Sequence, residues 1–273
     1  PDCLRGTLAG LGSADDCLRK AQFQLADTER RSGSVRAVGT GYHAAHEAYY
    51  QDRQAGMLGA HGVDRLPLYI KAAEAAFDAE AECEGFAWDD PYLDRPSAVE
   101  AMTLMVELYH KDRRFWPDEY EVLGTEVSFD FEFAMGHRRT GTIDLALLGP
   151  DGFVYGVDHK TTKKNKWAQG KEHPRKNNQG PWYTPALREL FPDANGYRFV
   201  FDIMQPNGNF ERRVADPQTR HVEAVERKAL QVAALLEFSE RSGVPLPGNP
   251  SSNLCSAVYC DFFAVCDHGA DLS

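Results

Sequence analysis

The order of patterns along this chain predicts an α/β (α+β) fold, a central mixed sheet flanked by helices. Three observations carry that expectation. The residues up to Pro117 read as successive helices. Apolar and polar residues then alternate from Val127, as a half-buried strand requires. The stretch from Asp216 to Gly243 has the signals of a long helix, with Asp216 as N-cap, Pro217 at the first position and Gly243 just past the end.

Each element follows in order. Ser13-Ala14-Asp15-Asp16 has the pattern of a capping box and predicts a helix running through CLRKAQFQLADTER. A polar turn, Arg31 to Ser34, leads to GTGYHAAHEAYYQDRQAG, helical in composition until Gly56. A third helical stretch follows Pro67, and a fourth runs from about Ser97 to Phe115 before Pro117. The region from Tyr120 changes period: Val127, Phe129, Phe131 and Phe133 alternate with polar residues, and a turn at Gly136 leads to Ile143, Leu145 and Leu147. GPDG, Gly149 to Gly152, closes an antiparallel hairpin into FVYGVDHK. A basic loop, a short helix over Gln179 to Leu190 and the strand YRFVFDIMQ complete the middle of the chain. After the last helix, VPLPGNPSSN leads into a cysteine cluster. No linker cleanly divides this order. The expectation is one domain over 1–273, with a helical portion at 1–117, a core at 118–210 and the last helix and cysteines at 211–273.

Composition narrows the class. With 273 residues the chain can bury a sizeable core without a disulfide framework. A hydrophobic fraction of 42% with 26% charged residues is ordinary globular composition. No apolar run reaches 18 residues, so no membrane-spanning helix is expected. The chain starts at Pro1 without a basic-then-apolar leader, so the expected location is cytoplasmic. The formal charge of −11 describes the average surface and leaves room for a locally basic site.

The hairpin carries the chemistry. A turn centred near residue 151 pairs residue 144 with residue 158, and directly opposed side chains lie ~4.5–5.5 Å apart on one face. Asp144 and Asp158 therefore project side by side, and Lys160, two residues on, points the same way. Two carboxylates that close repel unless a cation sits between them. Mg²⁺ suits carboxylate oxygens, and a lysine beside it can orient a water. An Asp-x-Lys triplet alone is often a surface ion cluster. The opposed Asp144, on strands otherwise rich in Ile, Leu, Phe and Val, makes a catalytic reading the better one.

The segment GTIDLALLGPDGFVYGVDHKTTKK resembles the core of the PD-(D/E)xK nuclease superfamily. More narrowly, it is similar to the branch with the RecB nuclease domain and the CRISPR-associated iron–sulfur exonucleases. Three further marks of that branch have matches here. Gly39 to His43 gives a helical G-x-x-x-H, Gln179 to Tyr183 gives Q-x-x-x-Y, and Cys17 precedes a distant group of Cys255, Cys260 and Cys266. The resemblance implies a restriction-endonuclease-like core whose termini are joined by the cysteines. It implies Mg²⁺ or Mn²⁺ held by His43, Asp144, Asp158 and the backbone carbonyl of His159. Lys160 would position the water, with Gln179 and Tyr183 beside the scissile phosphate. Gln179 also suits a helix cap. His46 and Glu47 share a helix face with His43 but match no role in the family.

From Lys160 to Lys176 seven basic residues face one acid, Glu172. In isolation such a loop reads as a solvated one. Directly after the hairpin motif, Lys163, Lys164 and Lys166 with Trp167 suit single-stranded DNA, charge following phosphates and the ring stacking on a base. Arg138 and Arg139 on the preceding turn are expected to add to it. Six cysteines without a secretory context read as ligands or buried thiols. Four thiolates can hold Zn²⁺ or a 4Fe–4S cluster, and spacing does not separate them. The resemblance implies the cluster, with Cys17 as its N-terminal ligand, Cys3 as competitor and Cys83 uninvolved. The expected function is a metal-dependent deoxyribonuclease, an exonuclease on single strands or DNA ends. The expected partners are DNA and a helicase or recombination protein, in a prokaryotic or phage setting. The alternative is a non-catalytic iron–sulfur or zinc module that binds DNA or supports an assembly.

Overall fold

The computed structural model describes residues 5–7, 17–25, 32–58, 65–83, 85–112, 114–134, 136–162, 177–215, 217, 219–252, 255, 260 and 262–267. In chain order the elements are β1 (Arg5–Thr7), α1 (Leu18–Leu25), α2 (Ser34–Gln54), α3 (Leu66–Ala81), α4 (Arg95–Lys111), β2 (Glu121–Ala134), β3 (His137–Leu148) and β4 (Phe153–Thr161). These are followed by α5 (Gln179–Leu190), β5 (Gly196–Met204), β6 (Phe210–Ala215), α6 (Thr219–Ser242) and a short helical turn at Phe263–Val265. The strands form a sheet in the order β1-β3-β4-β5-β6, with β2 also paired to β3. It is mixed: β3 pairs antiparallel with β4, β4 parallel with β5, and β5 antiparallel with β6. The α+β class expected from the sequence is the class observed.

Two compact units divide the chain. The larger comprises Ser32–Val127 and Thr142–Pro217. Its core joins Tyr42, Tyr50, Phe77, Met102, Met105 and Tyr109 of the helices to Leu145, Val157 and Val200 of the strands. Close helix packing needs a glycine at Gly41, where a Cβ would stand 2.7 Å from the Ala73 carbonyl oxygen. Asp94 caps α4 by accepting the Ser97 N–H at 2.8 Å, and a proline occupies the first turn.

The smaller unit comprises Pro1–Arg31, Ser128–Gly141 and Gln218–Ser273. Here α1 docks on the C-terminal segment. Phe23 stacks on Phe262 at 5.3 Å, Arg19 pairs with Asp267 at 2.9 Å, and the Gln22 amide donates to the Ser239 hydroxyl at 2.8 Å. The backbone N–H of Leu246 donates to the Gln22 side-chain oxygen at 3.1 Å. Gly243 ends α6 with φ +69°, the left-handed conformation that its position past the helix requires.

Differences from the sequence reading are local. β2 starts at Glu121, where the change of period from Tyr120 predicts it, with Val122 already buried ahead of the alternation at Val127. α2 begins at Ser34, and α4 stops at Lys111 rather than Phe115. β6 is a strand that the sequence reading did not separate, reached from β5 by a turn at Gly208 with φ +84°. Arg138 and Arg139 sit within β3 and are both engaged. Arg138 pairs with Asp130 at 2.6 Å, and the buried Arg139 pairs with Glu226, so neither is a spare cation on a turn. The capping box at Ser13 to Asp16 and the cap Asp216 lie outside the described residues.

Candidate functional site

The candidate site lies in the larger unit, where β3 and β4 meet α2 and α5. The β3–β4 register runs through Leu145↔Val157, so the next step places Asp144 beside Asp158, as the GPDG turn predicts. There the ladder gives way to side-chain chemistry: the His159 backbone N–H donates to Asp144 Oδ2 at 2.7 Å. Along β4 the side chains alternate, so Asp158 and Lys160 project together while His159 turns its ring to the other side.

Two groups of side chains result. In the first, His43 Nδ1 lies 3.4 Å from Asp144 Oδ2. Glu126 completes it: ligand atoms of His43, Glu126 and Asp144 all lie within 4.8 Å of one another. Burial pushes the Asp144 carboxyl up to about 6; the nearby His43 opposes that shift and Asp158 adds to it. Glu126 still reaches solvent, but its partial desolvation, and then the charge of Asp144, push it up to about 7. An imidazole and two carboxylates that resist ionising together are what a hard cation would relieve, so the donor set fits Mg²⁺ or Mn²⁺. In the second group, Lys160 Nζ spans the Asp158 carboxylate at 2.9 and 2.7 Å, and Gln179 Nε2 donates to Asp158 Oδ1 at 2.8 Å. Gln179 is thus the first residue of α5 and not its cap. One turn on, Tyr183 is hydrogen-bonded to Gln179, and burial holds its phenol above the usual range.

The glycine of G-x-x-x-H has a packing role. A Cβ on Gly39 would stand 3.3 Å from the Thr161 hydroxyl, so this position lets α2 approach the end of β4 and bring His43 to Asp144. Sequence reasoning missed Glu126. It sits where the alternation of β2 begins and reads there as one more solvent-facing acid. Its φ of +46°, rare for a residue with a side chain, marks it only in the structure.

In the smaller unit, Cys17, Cys255, Cys260 and Cys266 carry free thiols and lie close enough to act on one another. Burial and the other three sulfurs push the Cys255 thiol up. Cys83 is exposed, belongs to the larger unit, and contacts the Ala79 carbonyl oxygen. Cys3 and the loop with Lys163, Lys164, Lys166 and Trp167 lie outside the described residues.

Comparison with known proteins places the fold. No family model matches the chain. A crystal structure of a candidate exonuclease from Eubacterium rectale aligns over 93% of this chain and 87% of its own, with TM-score 0.53 and 11% identity. The two share a fold. A second crystal structure, that of SSO0001, covers 92% of this chain at 14% identity, but its TM-score of 0.36 carries no argument. In sequence, the 1,4-alpha-glucan branching enzyme GlgB 2 of Rhizobium etli is 25% identical over 211 residues, 67% of this chain. The match spans 28% of that enzyme's length. Among the described residues, no helix is long and apolar enough to cross a membrane.

Proposed function

We propose that this protein is a metal-dependent DNA nuclease of the PD-(D/E)xK type, an exonuclease on single strands or DNA ends, stabilised by a 4Fe–4S cluster. One observation carries the reading. The cluster of His43, Glu126 and Asp144 stands beside a lysine that is held by Asp158, whose carboxylate also accepts from Gln179. The shared fold with a protein described as a candidate exonuclease supports it. The name of the Rhizobium etli relative raises glucan transfer as a competitor. An imidazole joined to the carboxylates favours a cation site over a paired-carboxylate glycosyl site.

His43, Glu126 and Asp144 would hold Mg²⁺ or Mn²⁺, with Asp158 and the His159 carbonyl adjoining. Such a cation supplies Lewis acidity and a hydroxide-like nucleophile at neutral pH. Lys160, fixed by the Asp158 carboxylate, donates to the attacking water or to the phosphate oxygen. Gln179 keeps Asp158 from turning away, and Tyr183 braces Gln179. The lysines at 163, 164 and 166 with Trp167 would follow the DNA backbone. Cys17, Cys255, Cys260 and Cys266 would hold the cluster and tie the two ends of the chain.

End-labelled single- and double-stranded DNA, incubated with the protein and Mn²⁺, tests this. Shortening of the labelled strand that stops with chelator and in Asp158→Ala is expected. DNA bound but uncut under every divalent cation overturns the reading and leaves a DNA-binding module.

A further inference from the structure

The proposed chemistry leaves one buried histidine without a task. His46 follows His43 on the same helix, is 1% exposed, and is enclosed by aromatic rings. Tyr42 and Tyr109 meet it edge-on, each with centroids 4.2 Å away. His159 lies parallel to it, 4.7 Å away and tilted by only 10°. Among the described residues, neither nitrogen of His46 has a hydrogen-bond partner, and the Tyr42 hydroxyl and His159 Nε2 have none either. Four such atoms on three rings packed in a row are unlike an apolar core. What holds His46 against its neighbours is the contact of flat rings and not polar bonding.

What the His46 ring touches is the strand that carries the site. His159 stands between Asp158 and Lys160, and its backbone N–H holds Asp144 Oδ2 at 2.7 Å. His159 is itself 2% exposed, so its ring cannot shift without displacing His46 or the strand. A change at this one contact therefore reaches all three residues.

We propose that His46 is a positioning residue: its ring, stacked on His159, sets the place of β4 and so the spacing of Asp144, Asp158 and Lys160. The inference rests on the metal-site reading above and adds a residue that reading does not need. It is tested by replacing His46 and measuring Mn²⁺ binding by calorimetry, independently of cleavage, alongside kcat and KM for DNA. His46→Leu and His46→Gln remove the flat ring, the second keeping polar atoms, so one decides if the other fails to fold. Each should weaken Mn²⁺ binding by about 10-fold or more, the scale of outer-shell losses. Each should also lower kcat with little change in KM, whereas His46→Phe, which keeps the plane, should stay within about 3-fold of the parent in Mn²⁺ affinity, well short of that outer-shell loss. A folded His46→Leu or His46→Gln with parental Mn²⁺ affinity and kcat overturns the proposal. So does His46→Phe losing as much as His46→Leu. A parent that binds no Mn²⁺ overturns the metal-site reading itself, a different result from a parent that binds beside variants that match it.

Discussion

The acid cluster and the cysteine group sit on opposite kinds of scaffold. Asp144, Asp158 and Lys160 ride on paired strands, with β4 bonded in register to β5 from Phe153↔Gly196 to Thr161↔Met204. Their side chains are already tied down, by the His159 N–H, by each other and by Gln179. Among the described residues of the other region, Cys17 stands at the start of α1 and the other three cysteines stand on or beside turns. The Cys255 N–H donates to Ser252 and the Cys260 carbonyl accepts from Phe263, and a three-residue helical turn precedes Cys266. A sheet fixes its residues before any ligand arrives; a series of turns is fixed by what it ligates. On the proposed reading, then, losing a hairpin residue costs chemistry, whereas losing a thiol costs stability.

The largest effect should follow Lys160→Ala. The side chain sits at the rim of the site, 24% exposed, so its loss leaves the core untouched. Cleavage should fall by about 10²–10⁴-fold, the usual range for a positioned proton-transfer group. DNA affinity, the melting temperature and the iron content should stay near the parent's. Parental cleavage rates in this variant would show that the hairpin is not where the chemistry happens.

Cys17→Ser should do the reverse. Cys17 precedes α1, which is otherwise joined to the C-terminal segment by the Phe23–Phe262 stack and a few polar contacts. A cross-link that closes almost the whole chain restricts the unfolded state strongly, and its release should lower the melting temperature by about 10 °C. The parent, purified without oxygen, should carry about four iron and four sulfide per chain, and the variant should lose them. One zinc in place of iron would keep the structural role and change the cofactor. Cys83→Ser should change neither reading. A variant of Cys17 that stays folded yet loses all cleavage would erase the contrast between the two regions.

How much of this was legible in the sequence follows from the same contrast. The hairpin could be read because a tight turn fixes register by counting: from GPDG alone, residue 144 falls opposite 158. Gln179 and Tyr183 were legible as a helical i, i+4 pair, and Gly39 with His43 likewise. Counting fails where the backbone leaves its period. Glu126 is invisible because only the folded chain brings its carboxylate within 4.8 Å of the ligand atoms of His43 and Asp144. His46 is invisible because its meaning lies in what stacks on it, from a strand more than a hundred positions away. Arg138 and Arg139 read as turn residues because Gly136 stands just before them, and the structure places both in β3, paired with Asp130 and Glu226. β6 was missed because FERRVA, a charged edge segment, lacks the apolar alternation that betrays inner strands.

The smallest expected effect concerns pH, and it separates Glu126 from the residues that sequence alone could name. A carboxyl ordinarily titrates near 4 in an unfolded chain. In the folded protein Asp144 is pushed up to about 6 and Glu126 to about 7, so the folded state binds both protons more tightly. Without metal, these two groups therefore favour folding at low pH, and their contribution falls as pH rises from about 4 to about 7. A divalent cation needs the ionised forms and reverses the trend, so the rise in melting temperature given by Mn²⁺ should grow between pH 5 and pH 8. In Glu126→Gln the metal-free decline should be shallower, since one proton no longer participates. Its Mn²⁺ affinity at pH 7.5 should fall by about 10-fold or more, because an amide oxygen is a poorer ligand than a carboxylate. A thermal-shift series over pH, with and without Mn²⁺, measures both effects on one plate. An Mn²⁺ response the same in Glu126→Gln as in the parent would remove Glu126 from the site and leave the cation to Asp144, Asp158 and His43, whereas a response flat with pH would remove Asp144 as well.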